Sequence, residues 1–321
     1  MVTRLLIGIV AAALVAAAPA ARAGSAGACP LAELTAGLDE FGITGHMPPG
    51  VSAALMDPVA QRVPTFKAFD NVYFVGVCWV SAWLIVDPAG DILIDTLHEP
   101  HVDTLLANLA AVGAKLGDIR YVLITHGHFD HAGGAARLKP LLPNARFVMT
   151  RRGWDEAIAN AQTSASRPWT MIEPDIVAAD GDKLTVGNTV VTVYETPGHT
   201  FGTASFGYQV RDRGKSYRAI TVGGLGLNAI KSVEQVAAYV SSIKRLQAMA
   251  AADAEDPVMV SLTTHPPAAG MFPQADALAA RNDGAPNPFV DPVAFRTQLA
   301  QLLKNGEARL TTERAKAAGA K

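Results

Sequence analysis

The chain has 321 residues, of which 50% are hydrophobic and 17% charged, with a formal net charge of −2. That composition excludes a disordered chain and leaves room for one large domain or two small ones. The near balance of 27 Lys and Arg against 29 Asp and Glu excludes an overall basic field for holding nucleic acid or an anionic membrane.

Arg4, an apolar stretch over 5–18 and the triplet Ala21-Arg22-Ala23 read as an export signal over residues 1–23. The stretch is short and alanine-rich for a transmembrane anchor. Its removal is expected to leave a periplasmic or secreted protein with no stable membrane anchor, since no second apolar run of spanning length follows. Cys29 and Cys78 remain, and an even count in an oxidising compartment favours one disulfide; a buried free thiol at Cys78 is the alternative. Residues 24–64 read as an irregular N-terminal extension with a short helical patch at 31–38.

From residue 65 the pattern changes. Residues 72–77 and 79–86 read as strands, and Pro88-Ala89-Gly90 turns the chain into a strand at 92–95. Leu105, Leu106, Leu109 and Val112 stand at helical spacing and predict a helix over 102–115. Residues 121–124 form a short continuous apolar run, as in a strand covered on both faces. A helix over 131–142 and a strand over 146–149 follow. The second half repeats the alternation, with a hairpin of 183–186 and 189–195 across Gly187-Asn188. Strands at 205–210 and 218–222, a helix at 233–249 and a strand at 258–262 complete it. The segment 272–288 reads as a cleft wall or a connector. Asp291-Pro292 reads as the N-cap and first-turn proline of a last amphipathic helix through Phe295, Leu299, Leu302 and Leu303. Strand-rich segments with interspersed helices, given twice, predict an α/β domain over 65–321, built as a sandwich of two central sheets with helices outside.

The informative stretch is Thr125-His126-Gly127-His128-Phe129-Asp130-His131, which directly follows the strand at 121–124. An extended backbone sends His126, His128 and Asp130 to one side, while His131 projects towards a second point. Gly127 lets the turn between the first two ligands tighten. Imidazole nitrogens with a carboxylate suit zinc; a histidine-rich surface loop is the competing reading. His199, in Pro197-Gly198-His199-Thr200, and His265, in Thr264-His265-Pro266, each lie just past a strand. The proline restricts His265 to extended conformations. Asp95 ends another strand and reads either as the carboxylate that orients a ligand histidine or as a cap for the next helix. His98 and His101 read as loop or helix-entry histidines, and His46 as irrelevant. Trp79, Trp154, Trp169 and Phe201 line a substrate groove or belong to the core.

These residues, in this order, resemble the metallo-β-lactamase superfamily over roughly 69–271, and within it subclass B3. The resemblance implies a four-layer αβ/βα sandwich with two Zn²⁺ at one edge. One zinc would be held by His126, His128 and His199, the other by Asp130, His131 and His265. It further implies a small-molecule substrate and hydrolysis of the β-lactam amide by a metal-activated hydroxide oriented by Asp130, an antibiotic-resistance activity. A zinc-dependent lactonase or other esterase on the same fold is the alternative, and a non-enzymatic zinc-binding protein a distant third. Glyoxalase II and its relatives carry a bridging aspartate where this chain reads Thr221-Val222-Gly223-Gly224-Leu225-Gly226. Subclass B3 typically has an Asp-Ser-Leu-Ser-like segment at 223–226, whose serines order water and hold the substrate carboxylate. Here Asn228 or loop N–H groups would have to replace them.

Overall fold

The computed structural model describes Cys29 and residues 31–44, 47–164 and 168–319. The expected export signal and His46 lie outside the described residues. Two sheets form the centre. The first runs in chain order through β1 (Phe66–Phe69), β2 (Val72–Phe74), β3 (Trp83–Ile85), β4 (Asp91–Ile94), β5 (Ile119–Leu123), β6 (Arg146–Thr150) and β7 (Ile176–Ala178). Pairing is antiparallel from β1 to β4 and parallel from β4 to β7. The second sheet holds β8 (Lys183–Val186), β9 (Thr189–Glu195), β10 (Ala204–Asp212), β11 (Lys215–Thr221) and β12 (Val260–Leu262). Only its β11–β12 pair is parallel.

The helices are α1 (Leu31–Thr44), α2 (Pro49–Met56), α3 (Val102–Ala111), α4 (Phe129–Ala132), α5 (Ala135–Leu138), α6 (Arg151–Thr163), α7 (Val233–Ala250), α8 (Met271–Ala279) and α9 (Pro292–Gly319). β3 and β4 are buried along their whole length, which is why they read as unbroken apolar runs. The main core joins Phe74, Trp83 and Phe147 of the first sheet to Phe206 and Tyr208 of the second. The Trp83 indole N–H bridges the halves by donating to the Thr263 carbonyl (2.9 Å). A second cluster sets Ile220 against Tyr239 and Leu246 of α7 and Phe295 and Leu299 of α9. The result is the expected four-layer αβ/βα sandwich. Among the described residues no helix is long and apolar enough to cross a membrane.

Several expectations are corrected. The apolar run over 72–86 is interrupted, because the chain closes a tight loop between β2 and β3. There the Val75 N–H donates to Ala82 O (2.9 Å) and the Val77 N–H to Val80 O (2.9 Å). The helix expected over 131–142 is broken into α4, α5 and a 3₁₀ turn at Lys139–Leu141. At that break, a Cβ on Gly133 or Gly134 would stand 2.3 Å from the Phe129 and Thr96 carbonyl oxygens. Residues 24–64 include two helices, α1 and α2, and the segment 272–288 opens as part of α8. Cys29 and Cys78 form a disulfide, which ties the start of the described chain to the β2–β3 loop.

Candidate metal centre

The candidate ligands all lie on segments that directly follow sheet strands. β5 ends into His126 and His128, and α4 carries Asp130 and His131 one turn later. His199 lies in the β9–β10 connection, and His265 follows β12. The fold brings these six residues into two groups, His126-His128-His199 and Asp130-His131-His265. Within each, the ligand atoms lie within 4.8 Å of one another. His128 Nδ1 stands 3.1 Å from both His126 Nε2 and His199 Nε2. His131 Nε2 stands 3.1 Å from His265 Nε2 and 3.2 Å from Asp130 Oδ2. The groups are adjacent, with the His126 and His131 rings 4.2 Å apart.

The far side of each ring determines what the near side can do. His199 Nδ1 donates to Gly226 O (2.7 Å), and His265 Nδ1 donates to Trp79 O (2.7 Å). His131 Nδ1 donates to Asp95 Oδ2 (2.8 Å). His126 Nδ1 faces Thr125 Oγ1 (3.1 Å), whose own proton goes to Asp95. Carbonyls can only accept, and the Thr125 hydroxyl directs its proton to Asp95, so His126, His199 and His265 carry their proton on Nδ1 and turn an Nε2 lone pair inward. His131 likewise points an Nδ1 proton at Asp95 and its Nε2 inward. Lone pairs facing at 3.1 Å need a proton or a cation between them. The donor set, five imidazoles and one buried carboxylate, fits divalent metal ions of the zinc type.

The electrostatics agree. Burial pushes His128 down to about 4 and His199 to about 3, and lowers His126 and His265 as well, so these rings are neutral and ready to ligate. Burial also opposes the charge on His131, but Asp130 and Asp95 outweigh it and raise that ring to about 10. Asp130 is held well below the carboxylate range because the His131 charge overcomes its burial. In the metal-free protein this pair therefore stands ionised.

Asp95 orients the site, as one of its two readings expected. Its carboxylate accepts the Thr125 N–H (2.8 Å) and hydroxyl as well as His131 Nδ1. It does so from a left-handed backbone at φ 63°. Gly127 has a packing role as well. A Cβ there would meet the Ala157 amide nitrogen at 2.6 Å, so the glycine permits the ligand loop to lie against α6. Gly224 likewise lets its loop lie on the His199 imidazole, because a Cβ would sit 2.0 Å from Cδ2. Glu156, which the sequence reading overlooked, reaches from α6 to accept the N–H groups of Phe201 and Gly202 (both 2.9 Å). Its only sequence signal is an acid on a polar helix.

His98 lies in the loop before α3 and His101 is the N-cap residue of that helix, as expected, and both are buried. His101 Nε2 donates to Leu55 O (2.7 Å) and His98 Nδ1 to Glu99 O (2.6 Å), and neither belongs to a metal group. Trp154 is core, its indole bound to Ile176 O (2.8 Å). Trp79 is buried beside His265, with ring centres 5.5 Å apart. Trp169 lines an open cavity of about 240 Å³ with Ile158, Gln162 and Met171. Phe201 lies under the Arg152 guanidinium at 5.3 Å. Asn228 is exposed, with its carboxamide beside Gly226.

Comparison with known proteins agrees with the fold. Residues 75–213 match the family model of the metallo-beta-lactamase superfamily, and the chain carries a domain of that superfamily. Its structural neighbours include subclass B3 metallo-β-lactamases. BJP-1, the subclass B3 enzyme of Bradyrhizobium japonicum, superposes with a TM-score of 0.70 at 26% identity, over 80% of this chain and 97% of its own. The FEZ-1 metallo-β-lactamase from Legionella gormanii gives 0.72 at 27% identity, over 79% and 98%. Sequence similarity points to another branch as well. A hydroxyacylglutathione hydrolase of Bradyrhizobium sp. (strain ORS 278) is 33% identical over 124 residues, 39% of this chain. The chain spans 41% of the length of that relative.

Proposed function

We propose that this chain is a zinc-dependent hydrolase, acting outside the cytoplasm, that opens the amide bond of a β-lactam. The observation that carries this reading is the pairing of a three-histidine group with an Asp-His-His group on a fold shared with subclass B3 enzymes. When bound, two zinc ions supply Lewis-acid polarisation of a carbonyl and lower the pKa of a water nucleophile towards neutrality. The chain's own groups do the rest. Thr125, Asp95 and the carbonyls of Trp79 and Gly226 hold four imidazoles with Nε2 turned inward, so little reorganisation is needed on binding. Asp130, buried and ionised, orients the attacking water. Asn228 and the N–H groups of the 223–226 loop are the donors for a substrate carboxylate. Export is supported by the Cys29–Cys78 disulfide, a bond that persists in oxidising compartments.

A lactone or other ester is the second reading for the same site. It is favoured by the hydroxyl-free loop and by the hydroxyacylglutathione hydrolase relative. The deciding experiment measures carbapenem and lactone hydrolysis by the purified protein with zinc, after chelation, and after zinc is restored. Carbapenem turnover that follows the zinc supports the first reading. Lactone turnover alone replaces it with the second, and neither activity in a zinc-loaded protein rejects both. Asn228→Ala with unchanged kcat and KM would remove Asn228 from substrate binding.

A further inference from the structure

Helix α7 begins at Ser232-Val233-Glu234-Gln235, with the Ser232 hydroxyl capping it by accepting the Gln235 N–H (3.1 Å). A Ser-x-x-Gln start ordinarily closes on itself, the glutamine side chain returning to the cap residue. Here only one half of the amide turns back, Gln235 Oε1 accepting the N–H of Lys231 at 3.0 Å. The other half leaves the helix. Nε2 donates to Gly198 O and His199 O, both at 2.9 Å, and reaches Ala229 O at 3.2 Å. The side chain is buried, where an unpaired carbonyl is costly.

One amide thus joins two loops. On one side is the main chain of His199 itself. On the other is the segment leaving the glycine loop, whose Gly226 carbonyl sets the His199 ring. The same helix face continues the grip four and seven residues on. Tyr239 Oη donates to Leu225 O (2.8 Å), and Ser242 Oγ donates to Pro197 O (2.7 Å). Gly198, at φ 145°, has the Tyr239 backbone so close that a Cβ would stand 2.3 Å from its Cα.

We propose that Gln235 is a positioning residue for the three-histidine group. It locks the His199 loop to the glycine loop and thereby sets the direction of His199 Nε2 and the metal affinity of that group, separately from its service at the helix start. The inference rests on reading these histidines as metal ligands.

Three variants separate the roles. Gln235→Glu keeps a side chain suited to a helix N-terminus but turns an oxygen towards the Gly198 and His199 carbonyls. Gln235→Ala removes both halves, and Ser232→Ala removes only the cap. The readouts are metal dissociation constants by chelator competition, the visible spectrum of the Co²⁺-loaded protein, and the melting midpoint of the metal-free protein. Gln235→Glu and Gln235→Ala are expected to weaken one of two metals by about 10- to 100-fold and to alter the Co²⁺ spectrum. Ser232→Ala is expected to lower the midpoint and leave both constants unchanged. Wild-type affinity at both sites in the Gln235 variants overturns the proposal, as does equal weakening of both sites in step with the midpoint. If Gln235→Glu does not fold, Gln235→Ala decides alone. A wild-type protein that binds no divalent metal overturns instead the reading of the site.

Discussion

Asp95 shows how much of the site depends on single atoms. A non-glycine residue in the left-handed region carries a strain on the order of 1 kcal/mol or more, and the three hydrogen bonds it makes hold it there. Asp95→Ala is expected to weaken metal binding at the Asp130 group about 10- to 100-fold in a chelator-competition titration. Unchanged affinity would reduce Asp95 to a turn residue. Gly224→Ser tests the opposite kind of contact. The added Cβ has no room beside His199, so the variant should keep its circular-dichroism spectrum while losing the metal of the three-histidine group.

The pH dependence of the metal-free protein is argued at the same scale. His128 and His199 are lowered to about 4 and about 3, so between those values and about 6.5 the unfolded chain binds more protons than the folded one. Stability therefore rises with pH across that window. His131 acts in reverse: its contribution is complete below about 6.5 and is lost as pH climbs to about 10. Melting midpoints of metal-free protein should accordingly peak near neutrality. A midpoint that keeps rising from neutral pH into the alkaline range would contradict these shifts.

At the scale of elements, α6 is the support that the ligand loops share. Its cap, Thr150, accepts the Gly153 N–H (3.0 Å) and donates to Gly202 O (2.8 Å), while Glu156 holds the same loop one turn later. Thr150→Val is expected to cost about 1–2 kcal/mol in chemical denaturation, the usual range for a lost cap. This helix was not legible in the sequence. Arg151-Arg152-Gly153-Trp154-Asp155-Glu156 offers no apolar stripe, and only Gly153, Trp154 and Ala157 are buried. β7 escaped notice because it is a three-residue strand at a sheet edge. The ligands were legible for the opposite reason. Four fall within six residues, and His199 and His265 each stand at a strand end, so local spacing carried the information. Gln235 was hidden, since its helical start looks the same whether or not its amide reaches another loop.

For the whole molecule, the disulfide adds a covalent tie between the segment before α1 and the β2–β3 loop, 49 residues apart. Cys29→Ser should lower stability by about 2–4 kcal/mol in urea unfolding, the range expected for a loop of that size. A larger effect, or loss of metal, would mean that the N-terminal helices help to shape the site.

The distribution of ligands along the chain has a mechanical consequence. Each group draws members from both halves of the sandwich: His199 joins partners that precede β6, and His265 meets a histidine 134 residues earlier. A cation held there would act as a rivet through two sheets. By mass action, metal at about 1,000 times its dissociation constant stabilises the folded state by about 4 kcal/mol per site. Amide hydrogen exchange should then slow together in the loops after β5, β9 and β12 when zinc is added. Protection confined to one half would show that the sheets hold each other without it.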